Sequence, residues 1–237
     1  MVDGDAGSLV QFGADVRREH SRAWHLEQLR PFLENPDAQG PAVVARYHGP
    51  VFRESEQKLW LARGLSYGIL EVLPGLIGRE WVTFPGHVHR GPRRTSLPSV
   101  AEVMHGYGGV YLQGVGPRYR ESSIVWLHPG DRIILPPGFG HAWINAGTDP
   151  FILAEVHASR TEYDFVEVAR HRGMGFYFGP DGWRQNLHYR ELEMVREVSA
   201  GAMAAPETPG RDLYQAALKY PDRFKLLDPF QVPSRVR

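Results

Sequence analysis

Between Gly130 and Asn145 the chain reads GDRIILPPGFGHAWIN, which fits G-x5-P-x-G-x2-H-x3-N at every specified position: Gly130, Pro136, Gly138, His141 and Asn145. Upstream, Gly86-His87-Val88-His89 supplies an H-x-H pair, and Glu102 follows a short loop later. Alternate residues of a strand face one side, so His87 and His89 project together into a barrel interior. His141 follows a Pro-Pro-Gly-Phe-Gly turn in which Gly138 and Gly140 let the chain reverse and present the imidazole inward. Three imidazoles and one carboxylate, His87, His89, Glu102 and His141, are thereby offered to one divalent metal.

The surrounding texture agrees. From about Ala42 to His157 the chain is a series of short β-rich runs, among them GLSYGILEVLP, REWVTFPGHVH, AEVMHGYGGVYLQG, SSIVWLHPG and PFILAEVHA. Gly, Pro and Asn/Asp turns separate them at regular spacing, the mark of a sandwich or barrel. Residues 1–41 are expected to form a tail and a helix packed on the barrel, 42–158 the barrel itself, and 159–237 a helical extension and tail. In the first part, residues 1–13 look disordered, and ADVRREHSRAWHLEQLRPFLE suits an amphipathic helix over 14–34 with an interruption at Pro31. In the last, a helix opening on Thr161, a second within YRELEMVREVSA and a third at DLYQAALKY are expected.

Composition narrows the function classes. Lys+Arg and Asp+Glu both number 27, so no charge surplus points to nucleic acid or an anionic membrane surface. With no cysteine, disulfides, thiolate metal sites and cysteine nucleophiles are excluded. Residues 1–13 carry Asp3 and Asp5 and no basic segment leading into an apolar core, so a cytoplasmic protein without a signal peptide or membrane span is expected.

Three neutral nitrogens and one carboxylate leave two positions open in an octahedral sphere, a set that suits Fe(II), Ni(II) or Mn(II), with Zn(II) also compatible. A lone H-x-H in a strand is more often a pair of satisfied core histidines. The second motif, matched at five positions, shifts the balance to a metal site with catalytic vacancies. Arg93-Arg94, in the loop between His89 and Glu102, reads as a solvated loop sooner than as an anion clamp. Tyr67, Thr83, Phe84, Met104 and Trp143 are the candidates for lining a substrate pocket.

The paired motifs are those of the cupin barrel, and the stretch GLSYGILEVLPGLIGREWVTFPGHVH resembles the cupin-type phosphoglucose isomerase family. Pro74, Gly78, Glu80, Gly86, His87, His89, Glu102, Pro136, Pro137, His141 and Asn145 fall on that family's pattern, and the likeness runs from about Arg46 to Tyr189. It implies an all-β fold, a double-stranded β-helix or jelly-roll barrel with added N- and C-terminal helices, and a homodimer with one metal ion per subunit. The departures lie at substrate-holding positions. Val72 and Phe84 stand where the family keeps threonines, Met104 where it has a tyrosine, and His157 where it has another; its His-Asp-Tyr is Tyr163-Asp164-Phe165 here. Fewer hydroxyl donors imply a drier pocket, poorly suited to phosphate. His157 and Tyr163 remain as candidate acid/base groups.

Three activities then compete. An O2-dependent oxygenase acting on a small chelating metabolite suits an open metal site in a dry pocket, and is the expectation from the sequence. A metal-dependent aldose–ketose (sugar phosphate) isomerase is the alternative that the resemblance implies. A binding protein without metal chemistry has no use for a complete ligand set.

Overall fold

A computed structural model of the chain describes residues 7–208 and 210–228. Its strands are β1 (Val16–His25), β2 (Val43–Arg53), β3 (Leu65–Val72), β4 (Leu76–Ile77), β5 (Glu80–Trp81), β6 (Thr83–Arg90), β7 (Ser99–His105), β8 (Gly108–Gly114), β9 (Ser122–Leu127), β10 (Arg132–Leu135), β11 (Phe139–Asn145), β12 (Phe151–Ala158), β13 (Glu162–Asp164), β14 (Phe176–Gly179), β15 (Gly182–Gln185) and β16 (Arg196–Glu197). Short helices punctuate them: α1 (Leu26–Leu29), α2 (Gln57–Arg63), α3 (Val166–Arg170), α4 (Leu213–Lys219) and α5 (Pro221–Phe224). Twelve strands make two six-stranded sheets, ordered β1-β2-β3-β12-β7-β10 and β13-β6-β11-β8-β9-β16. This is the cupin barrel.

Strand alternation sorts the apolar residues into an interior and two outer layers. Leu70, Val72, Phe84, Ala101, Val103, Val110, Leu112, Trp143, Phe151 and Leu153 fill the space between the sheets. On the outside of the first sheet, Tyr67, Val100, Ala154 and Val156 are covered by Trp60 of α2 and by Leu213, Ala216 and Ala217 of α4. On the outside of the second, Tyr111, Ala142 and Ile144 are covered by Val168, Met174, Phe176 and Phe178. The chain after the barrel is therefore its outer wall rather than a separate unit.

The N-terminal helix expected over 14–34 is corrected. Val16–His25 is a strand paired along its length with β2, and only Leu26–Leu29 is α-helical before Pro31 enters a 3-10 turn. Between Val16 and Trp24 no large apolar residue recurs at helical spacing, whereas an extended edge gains a full ladder of cross-strand bonds. YRELEMVREVSA likewise gives no helix: Arg196–Glu197 pairs in parallel with β9 and buries Val195. The helix expected from Thr161 is split, with Glu162–Asp164 added to the edge of β6 and α3 starting only at Val166. The helix at DLYQAALKY is present as α4, capped by the Asp212 carboxylate on the Gln215 N–H. The disordered tail expected at 1–13 falls partly outside the described residues.

Candidate metal centre

His87 and His89 alternate on β6, and His141 lies directly opposite His87 across the β6–β11 ladder. The turn before His141 requires Gly138, whose φ of 85° lies in the left-handed region. The three rings converge inside the barrel, with centroids 4.3 Å apart for His87–His141, 4.7 Å for His89–His141 and 5.2 Å for His87–His89. One ligating nitrogen from each lies within 4.8 Å of the other two.

The protonation pattern suits metal binding. The Pro85 carbonyl, 3.0 Å from His87 Nδ1, can only accept, so Nδ1 carries the proton and Nε2 keeps its lone pair. Burial lowers the His87 pKa to about 4, and holds His89 and His141 well below the ordinary imidazole range, with their neighbouring imidazoles adding to the effect. All three are neutral near pH 7. Nε2 of His89 and Nε2 of His141 are buried with no hydrogen-bond partner among the described residues. Unsatisfied buried nitrogens cost stability unless something occupies them. A divalent cation fits that need, and this donor set is one such cations accept.

Glu102 does not join the histidines. In the β7–β12 register, Glu102 faces Ala154 and shares the outer side with Val100, whereas Ala101 faces Glu155 on the inner side. Its carboxylate accepts bonds from Arg132 Nη2 at 2.7 Å and the Leu213 N–H at 2.6 Å. The one-residue difference in strand parity decides the face. Met104 shares Glu102's outward parity, is exposed, and lines no interior cavity. Tyr67 is also outside, in ring contact with Trp60 and Tyr214.

Thr83 and Phe84 are separated by an irregularity in β6. Trp143 pairs with Phe84 but His141 pairs with His87, so β6 carries one extra residue between the two pairs. That bulge turns Phe84 inward, 5.6 Å from the His87 ring, and leaves Thr83 outside, its hydroxyl donating to the Trp81 carbonyl. Trp143 faces inward, 6.0 Å from His141. Of the five pocket candidates, then, Phe84 and Trp143 border the histidines and Tyr67, Thr83 and Met104 do not. Asn145 ends the motif structurally, donating to the Val72 and Asp149 carbonyls.

His157 and Tyr163 meet beside the cluster. Tyr163 stands opposite His89 in the β13–β6 pair and stacks on it at 4.9 Å. Nδ1 of His157 faces the Ala158 carbonyl at 2.9 Å, so Nδ1 carries the proton and Nε2 accepts from the Tyr163 hydroxyl at 3.1 Å. Burial pushes the Tyr163 pKa far up and the His157 pKa down, which keeps both neutral. Asp164 anchors this strand through Arg90 and Arg94, the latter at 2.6 Å. Arg94 is thus a structural partner rather than a substrate clamp.

Three interior residues were missed from the sequence: Tyr47, Ser99 and Glu155. Tyr47 extends the hydroxyl chain, 3.4 Å from the Tyr163 hydroxyl, with its pKa raised to about 12 by burial. Its ring occupies space left by Gly68, where an added Cβ would lie 2.6 Å from the Tyr47 hydroxyl. Glu155 is buried, its Oε1 accepts from the Ser99 hydroxyl at 2.5 Å and lies 3.8 Å from His89 Nε2. The signal available was an acid in the apolar run FILAEVHA, two residues from His157 and so on the same face. Tyr47, Gly68, Leu70, Phe84, His87, Trp143, Glu155 and Tyr163 enclose a cavity with about 10 Å³ of room for a water centre, enough for one molecule. A larger cavity of about 460 Å³ lies across the second sheet, on the face of Val88 and away from the histidines.

A family model described as glucose-6-phosphate isomerase (GPI) matches residues 43–192. The chain belongs to that family. A glucose-6-phosphate isomerase of Pyrococcus furiosus is 25% identical over 170 residues, covering 71% of this chain and 82% of the relative. That of Pyrococcus horikoshii is 27% identical over 168 residues, with the same two coverages of 71% and 82%. Among solved structures, an oxalate oxidase is similar at 19% identity with a TM-score of 0.36, covering 44% of this chain and 47% of its own. Membership makes the chain an enzyme with a metal-capable histidine triad in a cupin barrel. No helix among the described residues is long and apolar enough to cross a membrane.

Proposed function

We propose that this family member is a metal-dependent aldose–ketose isomerase acting on a small α-hydroxycarbonyl compound that carries no phosphate. The observation that carries the proposal is the Tyr163–His157 pair, a ready proton path stacked against one of the three histidines. Interconverting an aldose and a ketose moves one hydrogen between adjacent carbons and one proton between their oxygens. Tyr163 is suited to the second transfer. Its hydroxyl takes the proton of one substrate oxygen while passing its own to His157 Nε2, and the relay run in reverse delivers a proton to the neighbouring oxygen, so no phenolate need exist and His157 ends neutral. The Ala158 carbonyl holds His157 in the accepting tautomer. Phe84, Leu70 and Trp143 line the same space and restrict it to about one water molecule. His87, His89 and His141 would hold a divalent ion, which when bound would supply Lewis-acid polarisation of the carbonyl.

Charge speaks against a phosphate group on the substrate. No Lys or Arg is among the residues lining the cavity. The nearby Arg90 and Arg94 are engaged with Asp164. Phosphate recognition depends on such cations and on hydroxyl or N–H donors. The O2-dependent reading keeps one supporting observation, the apolar lining, but proton-transfer groups beside the histidines and the family relationship favour isomerisation. A homodimer, one metal ion per subunit and a small-molecule partner complete the proposal. The test is turnover of unphosphorylated aldoses by metal-loaded protein in strictly anaerobic buffer. Isomerisation that persists supports the proposal; activity that vanishes under argon and consumes O2 in air overturns it in favour of an oxygenase.

A further inference from the structure

Glu155 has a position that none of the expected roles accounts for. It is buried at 8% exposure, and among the described residues no Lys or Arg pairs with it. The contrast with Glu71 is direct: that carboxylate is fully buried and has Arg46 at 3.2 Å. An ionised carboxylate taken out of water needs a cation or several donors, and Glu155 has one serine hydroxyl. The cationic partner that would complete its surroundings belongs where His89 points, since Glu155 Oε1 and His89 Nε2 are 3.8 Å apart.

We propose that Glu155, braced by Ser99, supplies the carboxylate of the metal centre, in the role the sequence pattern assigns to Glu102. The inference rests on the three histidines being metal ligands. Glu155 Oε1 lies 3.8 Å from His89 Nε2 but outside the 4.8 Å cluster that the three histidines form, so Glu155 would join a common ion by moving toward them. The register supports the exchange of roles. Ser99 faces His157 and Ala101 faces Glu155 across the β7–β12 ladder, so all four share the inner face while Glu102 takes the outer one. Either strand of this pair can deliver an acid to the same interior position, and here β12 does so. Ser99 then orients the acid as groups behind a metal ligand do.

The test uses Co(II) as the probe on the full-length, metal-stripped protein, read by titration calorimetry and by the visible ligand-field spectrum. Wild type is expected to bind one equivalent. Glu155→Gln should weaken binding at least tenfold and change the spectrum, Ser99→Ala should weaken it less, and Glu102→Gln should leave both unchanged. Glu155→Asp keeps the charge on a shorter arm, so it should retain more affinity than Gln with a shifted spectrum; it decides the matter should the Gln variant not fold. Wild-type affinity and spectrum in a folded Glu155 variant would overturn the inference. A wild type that binds no Co(II), or a His141→Ala protein that binds it normally, would instead overturn the histidine site itself, which separates the two failures.

Discussion

Replacing Glu102 by alanine distinguishes a metal ligand from a structural clamp. In the structure its carboxylate joins Arg132 on β10 to the Leu213 N–H at the start of α4, through bonds of 2.7 and 2.6 Å. Side-chain exposures of 16% for Arg132 and 18% for Glu102 leave the pair only weakly screened. Hydrogen bonds to charged groups are each worth about 1.5–3 kcal/mol. Arg132 keeps the Thr208 hydroxyl and the Arg211 carbonyl after the substitution, so its charge is not stranded. The two lost bonds together therefore cost about 3–6 kcal/mol. For a chain of this size each kcal/mol lowers the melting temperature by about 2–4 °C, which gives a fall of about 6–24 °C. Differential scanning calorimetry of metal-stripped wild type and variant reads that fall, and metal titration reads affinity. Loss of the metal with an unchanged apo melting temperature would refute the placement of Glu102.

Four further outcomes follow from the same geometry. His141→Ala should remove most metal binding, checked by metal content after dialysis, because one of three converging imidazoles is gone. Tyr163→Phe should lower kcat by about 10²–10⁴-fold, the usual range for a lost acid/base group, with metal content unchanged by elemental analysis. Gly68→Ala should destabilise the protein by about 1–3 kcal/mol and impair turnover, since the new methyl meets the Tyr47 phenol; urea melts measure the first and steady-state kinetics the second. Burial raises the Glu80 pKa to about 7 from 4.5, so the folded state holds a proton that the unfolded chain releases between those values. That contribution is fully present below pH 4.5 and lost as pH rises through 7, about 3 kcal/mol in all, and Glu80→Gln should flatten the corresponding slope of stability against pH.

The barrel was legible because strand alternation and turn residues leave a local record. His87, His89 and His141 were legible for the same reason, each fixed by a strand period or a glycine turn. What failed was phase. Glu102 and Ala101 differ by one residue, and only the pairing with β12 decides which faces inward. The bulge in β6 likewise exchanged Thr83 for Phe84 on the inner face, a shift that a strict period of two conceals. Glu155 and Tyr47 reach the centre through sheet neighbours distant in sequence, so no short spacing announces them. At the N-terminus, charged residues with few apolar ones admitted a helix until the β2 edge offered a ladder.

The last strand of the second sheet has a kinetic consequence. β13 has three residues, sits at one edge of its sheet and, among the described residues, pairs only with β6. It nevertheless carries Tyr163, and the cavity behind it has room for one water molecule. On the isomerase reading, a sugar needs more room than that space offers, and a shift of β13 would both widen it and move Tyr163. Short edge strands open at far lower cost than central ones, and the Asp164 ion pairs with Arg90 and Arg94 are the latch. Added salt weakens the pair with the exposed Arg94 and affects the largely buried pair with Arg90 much less. On the proposed reading, turnover should therefore respond to ionic strength through the exposed Arg94 pair at the sheet's edge, while the buried histidines should not.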